Sequence, residues 1–440
     1  MNIIVPELIS EIKNHSRKVR DEAEKIKDQA LKWLLKDEAP KRELVEWITI
    51  DKYSSKDLDD LIWAEKTKNW YSIFVSIADV SEVIKPNTIL DLDAFSRSTS
   101  VYTSTHTYHK FPEDISTDIL SLNHQTKRNT ITTRIEYDNN FNIVWSNIYE
   151  SVSYNKNRFD YEEFNKQFND YYSEFHSELN LFHEIAKWLY KKRISWWARY
   201  DFNEHVWLKI WKESSWINTI SSFIIQEFML ATNIENAKIL FKERINWIFR
   251  IHMPEYKWVT SSISSNQRAF YNYNHWFHYW LWENFYWHFT SPIRRYADLI
   301  NHRQQKAWLR KDWEIYTKSD IRKIIININS TIEKTIELEN NYNKEVNDKR
   351  IERFIKKLSD DNYNNVSSIS EERFSWLIKY FVNKPEYFKN EKIMEEIIYR
   401  IDNKLIWEKS IWRMRSTPKA NKDLDFLREY IDKKNTNIIY

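Results

Sequence analysis

The stretch "YWHFTSPIRRYADLINHRQQK", residues 286–306, decides how the chain is read. Two adjacent arginines, Arg294 and Arg295, follow Thr290, Ser291 and Pro292, with His288 and His302 on either side. An arginine is permanently charged and grips a phosphate through two parallel N–H donors. The proline ahead of the pair stiffens its approach. Thr290 and Ser291 either donate hydrogen bonds to the same phosphate or cap a helix that begins with "PIRRYADLINHR", and such a helix start favours an anion. The plainer reading is a capped helix whose arginines pair with surface acids.

A second constellation lies upstream in "ITIDKYSSKDLDDLI", which sets Asp51, Asp57, Asp59 and Asp60 within ten residues. Four carboxylates so close repel one another unless a cation neutralises them. A hard divalent ion such as magnesium takes oxygen ligands and keeps room for water and a substrate phosphate. The spacing does not fit an EF-hand, because Tyr53 and Ser55 stand where that loop needs ligands. Taken alone, the cluster reads equally well as a solvated acidic loop. Together, a carboxylate metal site and a phosphate clamp form a phosphodiester-cleaving combination.

Composition narrows the field. The chain has 440 residues, enough for two or three domains, and 67 basic against 64 acidic residues, so any basic surface is local. It has no cysteine, which removes disulfides, thiolate nucleophiles and cysteine-ligated zinc. The histidines 106, 109, 275, 278, 288 and 302 fit no usual zinc spacing, and structural roles are expected for them. The start, "MNIIVPELISEIKNHSRKVRDEAEK", has no signal-peptide pattern, and no stretch approaches the roughly 18 apolar residues of a membrane span. A soluble cytoplasmic protein with no membrane partner is expected.

There is no glycine, although ordinary usage predicts ~30, and there are 22 tryptophans. Several stand where a small, flexible residue suits, as in "ISWWARYDF", "KTKNWYSIFV" and "HYWLWENFYW". The expectation is that the source reads UGA as glycine and that these tryptophans mark UGA codons.

Residues 7–35 read as a charged helix. "YSIFVSIADVSEVI" places Tyr71, Ile73, Val75 and Ile77 at period two, a strand. "NTITTRIEYDNNFNIVWSNIYES" reads as a hairpin turning at Asp138–Asn142. Residues 160–192 and 220–244 have helical spacing, the first through Phe164, Phe168, Tyr172 and Phe175. Beyond about residue 308 the pattern is helical, with a boundary near 357–368, where "LSDDNYNNVSSIS" has a linker's composition. The expected class is α+β, with a mixed or antiparallel β core surrounded by helices and a mostly helical C-terminal extension.

The segments "TIDKYSSKDLDDLI", "FVSIADVSEVIKPNTILDLDAFSRSTSVY", "IIQEFMLATNIENAKIL" and "HYWLWENFYWHFTSPIRRYADLINHR" resemble, in order, the signatures of the RNB domain of ribonuclease II and ribonuclease R. Trp280 stands where that family's last signature has glycine, and Trp282 and Trp287 where it has small residues. The residue pattern gives a helical segment over 1–41 and a helical extension over 369–440, and the resemblance implies an RNB-type catalytic domain, with trailing helices, over 42–357. It also implies a magnesium-dependent hydrolysis of single-stranded RNA from the 3′ end to nucleoside 5′-monophosphates. Asp51, Asp57, Asp59 and Asp60 then match the metal site, with Asp60 nearest the attacking water. Arg294 matches the arginine on the scissile phosphate, supported by Arg295. Tyr102 matches the aromatic near the catalytic centre, and Phe202 and Glu227 match residues that stack on and orient the terminal nucleotides. Tyr161 is equally a further channel aromatic or a core residue, and core packing is the plainer reading of Tyr102 and Phe202 taken singly.

Relatives in this family place OB-fold modules around the RNB domain. About 40 residues precede it here, too few for one such barrel, and the last 130 lack its alternating strands. A basic patch at Arg413, Arg415, Lys419 and Lys422 is either an RNA contact or a solvated loop. A monomer is expected, with room for a protein partner that delivers RNA. Two other readings stand beside the exoribonuclease: a catalytically inactive RNA-binding or scaffold protein on the same fold, and a magnesium-dependent enzyme acting on DNA or small nucleotides.

Overall fold

A computed structural model describes residues 14–34, 42–103, 106–195, 220–243, 245–253, 268–279, 281–312, 315–382 and 384–403, together with 425, 427 and 429. These residues fall into two compact units, one running to Glu337 and the other beginning at Leu338.

The first unit opens with helix α1 (Arg17–Leu34), which buries Val19 and Ala23. The strands β1 (Glu43–Asp51), β2 (Asp60–Lys66) and β3 (Trp70–Ala78) follow. Next come the short helices α2 (Val80–Val83) and α3 (Ile89–Arg97) and a small pair, β4 (Val101–Tyr102) with β5 (Thr107–Tyr108). Two long strands, β6 (Lys127–Asp138) and β7 (Ile143–Asp160), complete a closed five-stranded barrel in the order β1-β2-β3-β6-β7. Closure comes from the length of β7, which pairs antiparallel with β6 and parallel with β1. Closure pairs each of the five strands on both sides, although β1 and β2 meet at a single register position, Ile48 with Ile62.

The period-two reading explains the interior. Ile73, Val75 and Ile77 of β3 meet Ile131 and Ile135 of β6 and Ile48 and Ile50 of β1 in one cluster. The hairpin turns where expected: Asp138 Oδ1 accepts the backbone N–H groups of Asn140 and Asn142, at 2.9 and 2.8 Å.

Among the described residues, the helices α4 (Tyr161–Asn169), α5 (His176–Ser195) and α6 (Ile220–Phe241) follow. The single helix expected over 160–192 is therefore two. Asp170 breaks it by accepting the backbone N–H of Tyr172 at 3.0 Å, an alternative to the helical ladder, and Tyr172 is left exposed. The short strands β8 (Phe249–Ile251) and β9 (Phe270–Asn272) pair, and helix α7 (Tyr296–Arg310) runs through the interior with its first twelve residues buried. Several of its polar side chains find partners there, although both polar atoms of Gln305 are buried without one. Asn301 bonds the backbone of Ile248 at both its N–H and C=O, His302 Nε2 meets Phe289 O, and Arg303 pairs with Asp91. Helix α8 (Lys318–Asp360) packs Ile321, Ile324, Ile325 and Ile328 into the same core.

In the second unit, α9 (Glu371–Phe381) and α10 (Glu391–Asp402) pack Phe374, Leu377, Ile378, Ile393 and Ile397 together. Leu358 and Val366, within the segment of linker composition, are buried in that cluster. No strand occurs beyond Leu338 among the described residues.

Candidate active site

The four aspartates sit on the connection between two barrel strands. Asp51 is the last residue of β1, Asp60 the first of β2, and Asp57 and Asp59 lie between. Leu58 explains how the intervening residues are presented. It is fully buried, its N–H donates to Ser121 Oγ at 3.0 Å and its carbonyl accepts from Leu122 N–H, also at 3.0 Å. With Leu58 pinned, its acidic neighbours reach a cleft of about 1030 Å³. That is at the upper end of the ~300–1,000 Å³ typical of small-ligand sites. Asp51, Asp57, Asp59 and Asp60 all line it, as do Tyr102, Tyr161, Thr290, Ser291, Arg294 and Arg295. Residues separated by more than two hundred positions are thus brought to one cavity.

Burial raises the Asp51 carboxyl well above its ordinary value, and repulsion from Asp60 and Asp59 adds to the effect. Burial also raises Asp59, against the opposing pull of Arg294 and of the Ile293 N–H, which donates to Asp59 Oδ1 at 2.8 Å. Asp60 is pushed up to about 6 by burial, with Arg294 opposing. Asp51 Oδ2 and Asp60 Oδ2 are buried with no hydrogen-bond partner. Buried, mutually repelling carboxylate oxygens without donors fit a hard divalent cation, which supplies the charge that protons would otherwise bring.

Among the described residues, the three carboxylates whose oxygens converge within 4.8 Å are Asp79, Glu82 and Glu150, which lie outside this cleft. Their charge is already met. Arg42 pairs with all three, Lys306 with Asp79 and Glu82, and Arg310 with Glu82 and Glu150. Three cations against three anions leave no deficit for a metal to fill, so this cluster is a structural ion network.

The two arginines differ. Arg295 Nε and Nη2 reach the two oxygens of Asp298, at 2.8 and 2.6 Å, and Asp298 Oδ1 also accepts the Ser291 N–H at 2.9 Å. Arg295 is therefore committed to holding the turn. The Arg294 guanidinium has no hydrogen-bond or ion-pair partner among the described residues and faces Asp59 and Asp60 across the cleft. The helix expected from Pro292 starts instead at Tyr296, and its N-cap, Arg295, makes no side-chain cap bond. Thr290 and Ser291 consequently cap nothing: Thr290 Oγ1 accepts from Asn233 Nδ2 at 3.3 Å, and both residues are buried in the cleft wall. Burial of their polar groups within the turn outweighs a local cap.

Tyr102 donates its hydroxyl to Asp57 Oδ2 at 2.7 Å, while the residue stays 42% exposed. Burial and the Asp57 charge push that hydroxyl above its ordinary value, so it remains a donor. Tyr161, the first residue of α4, is raised to about 12, mainly by burial. Glu227 lies apart. It is absent from the cleft lining, and its carboxylate takes Arg193 Nη2 at 2.6 Å beside a second cavity of about 340 Å³. The α6 residues that do face the cleft are Ile225, Gln226, Met229, Leu230 and Asn233. Gln226 and Asn233 are seven positions apart on one helical face, a spacing that would have marked them in "IIQEFMLATN". Tyr286 and His109 also line the cleft. Phe202 and the basic patch Arg413, Arg415, Lys419 and Lys422 lie outside the described residues. No described helix is long and apolar enough to cross a membrane.

The model of the RNB domain matches residues 41–264 and 257–311. Ribonuclease R of Mycoplasma genitalium is 26% identical over 373 residues, covering 68% of this chain and 50% of the relative. Ribonuclease R of Escherichia coli K12 is 27% identical over 323 residues, covering 60% and 40%. The chain spans about half the length of the curated relatives it matches. Among solved structures, M. genitalium RNase R in complex with ribose-methylated single-stranded RNA superposes with a TM-score of 0.61 at 22% identity, covering 73% of this chain and 60% of that one. Yeast Ssd1, a pseudonuclease, superposes at 0.55 and 19%, covering 68% and 44%. The barrel, the order of the motifs and the family match agree: the chain belongs to the RNB domain family of ribonucleases II and R.

Proposed function

We propose that the chain is a magnesium-dependent exoribonuclease that hydrolyses single-stranded RNA from its 3′ end and releases nucleoside 5′-monophosphates. One observation carries the reading: the unpartnered Arg294 guanidinium shares a cleft large enough for nucleotides with four carboxylates, of which Asp51 and Asp60 each hold a buried oxygen without a hydrogen-bond partner.

Asp51, Asp57, Asp59 and Asp60 would hold the metal, which when bound activates water and offsets charge on the attacking and leaving oxygens. Arg294 grips the non-bridging oxygens of the scissile phosphate and draws it toward the carboxylates. Water attacks phosphorus, the bond to the 3′-oxygen of the preceding nucleotide breaks, and that oxygen takes a proton to become the new 3′-hydroxyl. The terminal nucleotide departs with its 5′-phosphate. Asp57 anchors the Tyr102 hydroxyl and so fixes a half-exposed ring on which a terminal base stacks, a contact indifferent to base identity. Gln226 supplies an amide within the cleft for a sugar hydroxyl, while Asn233 holds the cleft wall through Thr290 and Phe289. The relatives named Ribonuclease R support the class of reaction.

The likeness to Ssd1, a pseudonuclease, is the observation behind a second reading, in which RNA is retained but not cut. A time course on 5′-labelled single-stranded RNA separates the two, using protein in which UGA is decoded as in the source, with magnesium or chelator, beside Asp60→Asn. Stepwise shortening that requires both metal and Asp60 is expected. RNA bound but never shortened would favour the second reading.

A further inference from the structure

Lys110 is fully buried, an unusual place for an ammonium, and does not line the cleft. Its Nζ lies 4.3 Å from the Phe111 ring centroid and 5.8 Å from that of Tyr296 and donates to the carbonyl oxygen of Pro292 at 2.7 Å. The N–H of the same peptide unit, that of Ile293, donates to Asp59 Oδ1 at 2.8 Å. One peptide plane is therefore gripped at both ends, by an amine on its carbonyl and a carboxylate on its N–H. Hydrogen bonds in such a chain polarise one another where the dielectric is low. The residue that follows this peptide is Arg294.

The surrounding backbone shows what Lys110 adds. Ser100 N–H donates to Arg294 O at 2.8 Å, Tyr296 N–H donates to Ser98 O at 2.8 Å, and Ser100 Oγ accepts the N–H of Lys110 itself at 2.9 Å. These bonds fasten the arginine turn to the segment 98–110, yet none reaches Asp59. The path from Lys110 through the Pro292–Ile293 peptide to Asp59 joins the carboxylate side of the cleft to the arginine side. A methionine would fill the same volume without the cost of burying an ammonium, so packing alone does not account for a lysine here.

We propose that Lys110 is a positioning residue: acting through the Pro292–Ile293 peptide, it orients the Asp59 carboxylate and the turn that presents Arg294. The inference rests on the exoribonuclease reading for its kinetic consequence, but its effect on cation affinity can be measured without turnover. Asp59 then offers its free oxygen to the cation in a set direction, and a chain with an apolar residue at 110 folds with that carboxylate free to rotate.

The test compares the full chain with Lys110→Met and with Lys110→Gln, which retains a donor. Thermal unfolding monitors the fold, manganese affinity is measured by calorimetry in the absence of RNA, and single-turnover shortening of RNA is followed against magnesium. Lys110→Met should unfold no earlier than the parent, bind manganese about tenfold more weakly and cut about tenfold more slowly at saturating RNA, with RNA affinity within twofold. Lys110→Gln should recover part of both losses. Should Lys110→Met fail to fold, Lys110→Gln carries the comparison, with a threefold or greater loss of manganese affinity expected. Manganese affinity within twofold of the parent in whichever variant is folded overturns the proposal. A parent that binds manganese but never shortens RNA removes the exoribonuclease reading, and the manganese comparison still decides the role of Lys110.

Discussion

Asp60 carries a buried carboxyl pushed up to about 6, and Asp51 and Asp59 are raised beside it. A raised carboxyl binds its proton more tightly in the folded chain than in the unfolded one. In metal-free protein, the resulting penalty on the fold is absent below the unfolded value near 4, grows as pH rises toward 6 and is complete above it. Asp60→Asn should therefore stabilise the metal-free protein at pH 7 by roughly 1–3 kcal/mol while removing activity, with the gain vanishing below about pH 4. Thermal melts of both proteins with chelator, run from pH 4 to 8, check this. A lower melting temperature for the variant at pH 7 would mean that the quartet is not under charge strain. Trp282 offers a separate residue-level test. Its φ of 55° lies in the left-handed region, where a residue with a Cβ costs ~1–2 kcal/mol and glycine costs little. Trp282→Gly is expected to raise stability by about 1 kcal/mol, read from urea midpoints, and the gene should carry UGA there. A TGG codon would count against recoding.

The β1–β2 connection, the arginine turn and helix α7 divide the work among elements. Helix α7 holds the turn from behind through Asp298 and joins the Asp79–Glu82–Glu150 network through Lys306. Lysine and arginine partners hold Asp79 far below its ordinary value and Glu82 at about 2, against the upward push of burial. Lowered carboxyls contribute stability above about pH 4 that is lost as pH falls through their folded values. Lys306→Met leaves a buried anion short of a partner and should cost about 3–5 kcal/mol at pH 7, shrinking toward pH 2. Urea denaturation at several pH values measures it, and a cost below about 1 kcal/mol would show that Arg42 and Arg310 suffice alone. The strands were legible because Ile73, Val75 and Ile77 alternate, and the hairpin because Asp138 begins a turn. The break at Asp170 was hidden, since Phe164, Phe168 and Phe175 keep helical spacing while a single side-chain bond diverts the backbone. The late start of α7 was hidden for a similar reason. Thr290 and Ser291 look like caps, but the contacts that bury them come from Asn233 and Asp298.

Barrel closure is a property of the whole unit, and no local pattern shows that β7 pairs with strands on both sides. The cleft is likewise assembled from β1, β2, α4, α6 and the arginine turn. The four aspartates and Arg294 stood out in the sequence by their density and by the proline-led arginine pair, although each cluster alone read as well as a solvated loop or a capped helix, and Arg295 turned out to hold the turn through Asp298. Gln226, Asn233 and Lys110 did not stand out, because an amide or a lysine reveals its role only through what the fold places opposite it. Glu227 shows the converse: it is one position from a cleft residue, and the helix turns it toward Arg193. The proposed reaction is tested most directly at the phosphodiester bond it would break. RNA labelled at the phosphate of its last phosphodiester, mixed with excess protein and magnesium, is expected to yield labelled nucleoside 5′-monophosphate as the first product, with Arg294→Ala slowed by at least 10²-fold. A labelled fragment of several nucleotides, a 3′-phosphate product, or equal rates for Arg294→Ala and the parent would contradict it.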